Sequence, residues 1–231
     1  MPTALITGAS RGLGAAIARA LAPTHDLLLG GRASARLEQT VAQIAATTDH
    51  RVEAFAVELT DDAALAAATA TIESLDVVVH SAGVGSTLEP VADTPASQWR
   101  SILEVNLVAA AELTRLLLPA LRTASGHVVF INSGAGQRAN PGWAPYAASK
   151  FGLRALADAL RAEEPGIRVT SIFPGRIDTD MQRELVAIEG RDYDPAQFLT
   201  TETVATATVN AIVTGADADP TEIVLRPRQR S

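Results

Sequence analysis

Cysteine is absent from this 231-residue chain, and that removes disulfides, thiolate metal sites and cysteine nucleophiles together. Lysine is almost absent: Lys150 stands alone against 18 arginines. Aromatic side chains make up only 4% of the residues, so a core has to be built from the alanine, leucine and valine that dominate the 47% hydrophobic content. Positive charge is also short. A net charge of -7 with scattered arginines argues against a nucleic-acid footprint, which needs a basic patch. The one basic cluster, Arg226, Arg228 and Arg230, reads as a solvated end. His25, His50, His80 and His127 are too far apart to suggest a local ligand pair, so no metal is expected. No window approaches the roughly 18 uninterrupted apolar residues of a membrane span. The N-terminus runs into Ala4-Leu5-Ile6 without a basic and then apolar leader. The expectation is a cytoplasmic protein with neither a nucleic-acid nor a membrane partner.

What the chain has in abundance is alternation. Apolar runs occur at Ala4 to Ile6, Leu27 to Leu29, Val52 to Val57, Val77 to Val79, Val128 to Ile131, Val169 to Phe173 and Ile223 to Leu225. Each has the length and content of a buried parallel strand. Between them lie helical patterns at Leu13 to Leu21, Leu37 to Ile44, Leu65 to Ile72, Trp99 to Leu121 and Tyr146 to Leu160. With no internal repeat or linker, residues 1–231 read as one α/β domain, a doubly wound, mostly parallel seven-stranded sheet flanked by helices, Rossmann-like. Ligands of such a sheet bind beyond the carboxyl ends of its strands. Gly8, Arg32, Ser81, Ser133 and Pro174 each follow an apolar run and fall at those ends.

The first run leads through Thr7-Gly8-Ala9-Ser10-Arg11-Gly12-Leu13-Gly14 directly into a helix. Glycines let the backbone turn tightly and approach a pyrophosphate, while the helix start supplies free N–H groups and positive dipole. After the second run, where an NAD-binding protein often carries an acid for the ribose hydroxyl, this chain has Gly30-Gly31-Arg32. A guanidinium there pairs with a 2′-phosphate, and Arg11 is a second candidate, so NADP is expected over NAD. Further on, Tyr146 and Lys150 are spaced to share one helix face. A cation beside the phenol would favour phenolate and make Tyr146 a usable acid/base near neutrality.

With the glycine turn first and Tyr146-Ala147-Ala148-Ser149-Lys150 downstream, the chain resembles the short-chain dehydrogenase/reductases, specifically their single-domain branch. The resemblance covers nearly the whole length. It assigns Ser133, in Ile131-Asn132-Ser133-Gly134, to the family's active-site serine, and Asn106 to its helix-borne asparagine. It likewise matches Pro174-Gly175 to the turn after the sixth strand and Thr179 to the threonine that follows. The cofactor contacts it implies run through Gly8, Ser10, Arg11, Gly12, Leu13, Gly14, Arg32, Glu58, Leu59, Ala82, Gly83, Tyr146, Lys150, Pro174, Gly175, Ile177 and Thr179. Two positions depart from the family pattern. Ser81 stands where many members have asparagine, and Glu58 where a shorter acid usually approaches adenine.

The resemblance implies hydride transfer between NADP(H) and a small-molecule carbonyl or secondary alcohol. Ser133 would hold the substrate oxygen, Tyr146 exchange the proton, Lys150 hold the nicotinamide ribose, Asn106 hold a proton-supplying water and Thr179 anchor the carboxamide. The substrate pocket is expected from Gly134 to Trp143 and from Met181 to Leu199, within a small loop at about 176–200, with Trp143 and Phe198 either forming an apolar wall or packing against the scaffold. Arg176 and Arg183 are candidates for a carboxylate, or plain surface residues. The resemblance also implies a homodimer or homotetramer. Two rivals remain at this stage. A non-catalytic NADP-binding sensor would not need Ser133, Tyr146 and Lys150, and a nucleotide-sugar epimerase or dehydratase usually needs a larger C-terminal region.

Overall fold

Every apolar run of the sequence becomes a strand in the computed structural model, which describes residues 1–215 and 217–228. The strands are β1 (Thr3–Ile6), β2 (Asp26–Gly31), β3 (Val52–Ala56), β4 (Val77–His80), β5 (His127–Ile131), β6 (Arg168–Pro174) and β7 (Glu222–Leu225). They form one seven-stranded sheet in the order β3-β2-β1-β4-β5-β6-β7, with every pair parallel. The order reverses between β1 and β4, and that switch point opens a crevice at the carboxyl edge.

Alternation along the strands fills both faces, because successive side chains point opposite ways. Ala4, Ile6, Leu27 and Leu29 meet α1 (Gly12–Leu21), α2 (Ala35–Ala45) and α8 (Thr201–Ile212) on one face. Leu5, Val78, Val128 and Phe130 meet α3 (Asp62–Thr69), α5 (Ala109–Ala124) and α6 (Ala144–Glu163) on the other. Phe130 and Phe173 are the largest fully buried side chains, so the few aromatics present do reach the core. No helix among the described residues is long and apolar enough to cross a membrane.

Two buried histidines are wired into this core. His80 stacks on Phe130 with ring centroids 4.9 Å apart, and its Nε2 lies 2.9 Å from Thr114 Oγ1. Thr114 donates its own proton to the Ala110 carbonyl, so His80 Nε2–H is the donor. The same logic makes His127 Nε2–H donate to Thr170, whose hydroxyl donates to the Pro220 carbonyl. Burial pushes both imidazoles down to about 3, so both are neutral.

Three sequence expectations need correction. The pattern from Trp99 to Leu121 is not one helix. It divides into α4 (Ala96–Leu103), a π-helical turn over Glu104–Val108 and α5, because Asn106 is drawn toward the sheet edge and the turn widens to accommodate it. The stretch at about 176–200, expected as a small loop, carries the helix α7 (Asp180–Ile188), so much of it is not loop. Nor is the basic tail solvated throughout. Arg226 donates to the Phe173 and Leu225 carbonyls and to Gln137 Oε1 at 2.8, 3.0 and 2.8 Å, which ties the end of β7 to the loop after β5. Arg230, the last member of that cluster, lies outside the described residues.

Candidate active site

The switch-point crevice has a volume of about 550 Å³ and runs from the ends of β2 and β3 across to α7. Its floor is the glycine turn. Gly8 and Gly12 have φ of 67° and 56°, a region that side chains avoid. Space excludes side chains as firmly as angle does. A Cβ on Gly8 would lie 2.9 Å from Ala82 Cα, and one on Gly14 would lie 2.4 Å from the Gly8 carbonyl oxygen. Arg11, the residue preceding α1, makes no side-chain cap, so the first helical N–H groups stay free to meet an anion. This cradle fits a dinucleotide pyrophosphate. Ser10 and Leu13 line it as expected, and Ile177 lines the opposite wall.

Arg32, Glu58 and Leu59 line the far end of the crevice. Glu58 turns back on its own loop and accepts from Thr60 N and Oγ1 at 3.4 and 3.2 Å. Arg11 is engaged elsewhere than expected. Its Nη1 meets Asp180 Oδ2 at 2.9 Å, and Arg36 Nη2 reaches the same oxygen at 3.3 Å. The hydrogen bond from Arg11, helped by the charge of both guanidiniums, holds the Asp180 carboxyl below its ordinary range. The three side chains link the glycine turn and α2 to α7.

The strand β4 delivers Ser81, Ala82 and Gly83 to the crevice, and Thr7 fixes them. Its hydroxyl oxygen accepts from the Ser81 and Ala82 N–H groups at 3.0 and 3.1 Å, so this junction is held by Thr7 and the backbone whatever side chain stands at 81. Asn106 continues the clamp. Its Oδ1 accepts from Val84 N at 2.8 Å, and its Nδ2 donates to Val84 O and Ser149 Oγ at 3.0 and 3.1 Å. Both amide protons are thus used within the protein, and the side chain joins the loop after β4 to α6. Gly83 packs closely opposite it, since a Cβ there would lie 3.1 Å from Asn106 Oδ1.

Ser133, Tyr146 and Lys150 come together where β5 ends. Asn132 Oδ1 accepts from Ser133 N at 2.8 Å, and Asn132 Nδ2 donates to the Lys150 carbonyl at 3.1 Å. One side chain therefore fixes the serine to α6. The Ser133 hydroxyl accepts from Ala135 N at 3.1 Å and pulls the Tyr146 phenol toward a lower pKa. Lys150, only 5% exposed, donates from Nζ to the Ile131 carbonyl at 2.9 Å, and burial lowers its pKa to about 8. Its Nζ lies 5.7 Å from the centre of the Tyr146 ring. The expected lowering of the phenol does not appear. Burial pushes Tyr146 up, against an opposing pull from the Ser133 hydroxyl.

Pro174 and Gly175 close the crevice beneath β7, where Gly175 N donates to the Leu225 carbonyl at 2.8 Å. Thr179 caps α7 by accepting from Gln182 N at 3.3 Å. Trp143 meets Tyr146 edge-on, 5.6 Å between centroids, and Met181 and Leu185 also line the crevice. Phe198, expected in that wall, packs instead against Tyr193 and under the Arg176 guanidinium. Arg176 and Arg183 are ion-paired with Glu189 and Asp178 at 2.8 and 3.0 Å. Sequence reasoning missed Asn132 and Arg36, and it included Asp180 and Gln182 only as members of the expected substrate loop. Asn132 had a signal, since it adjoins Ser133; Arg36 had none.

A family model for the short chain dehydrogenase matches residues 2–190. An uncharacterized oxidoreductase of Staphylococcus epidermidis is 30% identical over 228 residues, spanning 97% of this chain and 96% of that one. The chain belongs to the short-chain dehydrogenase/reductase family. An alcohol dehydrogenase from the archaeon Thermococcus sibiricus, complexed with 5-hydroxy-NADP, superposes with a TM-score of 0.90 at 27% identity over 100% of this chain and 99% of that one. A metagenomic short-chain oxidoreductase in complex with NADP gives a TM-score of 0.83 at 28% identity, covering 99% and 98% of the two chains. The protein is thus a family oxidoreductase with a nicotinamide-dinucleotide fold.

Proposed function

We propose that this short-chain dehydrogenase/reductase interconverts a carbonyl and a secondary alcohol with NADP(H), using Tyr146 as the general acid/base. The observation that carries this reading is the meeting of Ser133, Tyr146 and Lys150 at one end of the dinucleotide cradle. A bound nicotinamide would supply the hydride. The protein's part is proton transfer and placement. In reduction the Ser133 and Tyr146 hydroxyls both donate to the substrate oxygen, and the Tyr146 proton passes to that oxygen as its charge develops. A phenol kept protonated by burial is prepared for this direction.

Lys150 uses one N–H on Ile131 and has two left for the ribose hydroxyls. Asn106 and Asn132 hold the two walls in register, and Thr179 orders the start of α7 where a carboxamide would lie. Arg32, after a strand end without an acid, supports a 2′-phosphate. So do the NADP-type ligands of both superposed structures.

The test is oxidation of NADPH followed by absorbance over a panel of ketones and aldehydes, with the alcohols run in reverse. Turnover that requires Ser133, Tyr146 and Lys150 supports the assignment, and none with either cofactor overturns it. Arg32→Ala should weaken NADPH binding and leave NADH binding unchanged. Equal or tighter NADH binding by the unmodified protein would remove the NADP assignment.

A further inference from the structure

Beside the reacting groups the crevice is walled by side chains that cannot hydrogen-bond. Gly83, where a Cβ would come 4.0 Å from Lys150 Nζ, leads into Val84 and Gly85, which also line the crevice. Met181 and Leu185, one turn apart on α7, pack against Gly85, since a Cβ there would lie 3.5 Å from Met181 Cγ and 3.8 Å from Leu185 Cδ2. Trp143 meets the Tyr146 ring, and the Ser86 hydroxyl donates to the Gly142 carbonyl at 3.0 Å, which ties the loop after β4 to the residue beside Trp143. These contacts run from Tyr146 through Trp143 and the loop after β4 to α7, so the wall is connected. The Trp143 indole N–H is its one side-chain donor.

The polar side chains on and just before α7 are already spent. Thr179 accepts from Gln182 N, and Asp180 holds Arg11 and Arg36. The Arg176 guanidinium meets Glu189 and Phe198, and Gln182 Nε2 is shut off from solvent. Arg226, which lies over Gly134, does not line the crevice and gives its guanidinium to Phe173, Leu225 and Gln137. A carboxylate on the substrate would find no cation on this wall. Sugar hydroxyls would lose their water there with nothing to replace it, at a cost of about tenfold or more for each group left unpaired.

Resting on the oxidoreductase reading, we propose that the substrate is an apolar ketone, its carbonyl on Ser133 and Tyr146 and its hydrocarbon chain against Trp143, Met181 and Leu185. The reaction balances without further components: the carbonyl carbon takes hydride from NADPH, its oxygen takes the Tyr146 proton, and solvent restores that proton.

The experiment compares kcat/KM with NADPH for methyl ketones from butanone to octanone, for erythrulose, an open-chain ketose with the carbon skeleton of butanone, and for levulinate, the carboxylate counterpart of pentanone. Values should rise about three- to fourfold with each added methylene until the slot is filled, because each methylene leaves water for an apolar wall. Butanone and pentanone should exceed their polar counterparts by at least about tenfold. Met181→Ser should flatten the rise and lower kcat/KM for octanone by about tenfold, with NADPH binding by fluorescence titration retained. Met181→Leu, which keeps the apolar bulk, should preserve the rise.

A flat series, or preference for erythrulose or levulinate over the matching ketone, would overturn the proposal. So would a Met181→Ser protein that keeps the full rise, or one that loses NADPH affinity and so makes Met181 a cofactor contact. Turnover of none of these compounds would instead overturn the oxidoreductase reading. The slot would then be tested by unreactive alkyl acetamides followed by tryptophan fluorescence, where affinity that grows with chain length supports an apolar slot and affinity independent of length overturns it.

Discussion

At Tyr146, burial raises the phenol pKa while the Ser133 hydrogen bond lowers it, and burial is the larger effect. The consequence is a proton donor that depends on its neighbours for any move toward phenolate. Tyr146→Phe keeps the ring beside Trp143 and removes only the hydroxyl. We expect turnover to fall by about 10²- to 10⁴-fold with NADPH binding retained, measured by single-turnover absorbance and fluorescence titration. Lys150→Arg tests the neighbouring cation. The buried ammonium makes one compact contact with Ile131, whereas a planar fork needs more room and a different approach. A folded variant with weakened NADPH binding and greatly reduced turnover is expected, and native kinetics would show that any cation suffices there.

At the scale of elements, α7 is tied to the cofactor cradle by Asp180, which holds Arg11 and Arg36 together. Exposed pairs of this kind are worth about 0–1 kcal/mol each and weaken with salt. A 2′-phosphate would compete for the same arginines. Asp180→Asn should therefore tighten NADPH binding by a few-fold at low salt and leave NADH unaffected. Weakening of both cofactors alike would instead make the pair a strap over the bound dinucleotide.

The pairing of Asp180 with Arg36 and Arg11 was invisible in the sequence because the partners lie 144 and 169 residues apart. The π-helical turn was equally hidden. The apolar pattern from Trp99 to Leu121 is continuous, and only the contacts of Asn106 with Val84 and Ser149 give the chain a reason to widen there. Strand positions, by contrast, were readable almost to the residue, since a strand buried on both faces must be apolar along its length.

For the whole molecule, His80 and His127 make folding sensitive to acid. Their folded pKa of about 3 lies below the unfolded value of 6.5, so between these limits the unfolded chain binds more protons. Stability is then full above about 6.5 and falls as pH drops toward 3, by up to about 1.4 kcal/mol per pH unit for each histidine. His80→Gln, which keeps a donor for Thr114, should flatten the decline of Tm between pH 6 and pH 4. An unchanged slope would mean that other groups control acid unfolding. Assembly belongs to this scale too. Val108 and Phe151, on adjoining helical elements, are 45% and 43% exposed, and pairing of two copies would cover such apolar surface. Light scattering should find a dimer or tetramer at micromolar concentration, and a monomer would contradict it.

The sequence by itself determined the parallel sheet, the glycine cradle, the family and the place of Ser133, Tyr146 and Lys150 among the crevice residues, because these depend on local periodicity, steric room and order along the chain. Tertiary structure alone decided their electrostatics and their company. Whether Lys150 faces the phenol or the Ile131 carbonyl, which acid holds Arg11, and which wall donors are left without partners all depend on contacts between distant segments. Such contacts are set by how helices settle on the sheet, and no stretch of the chain encodes that packing by itself.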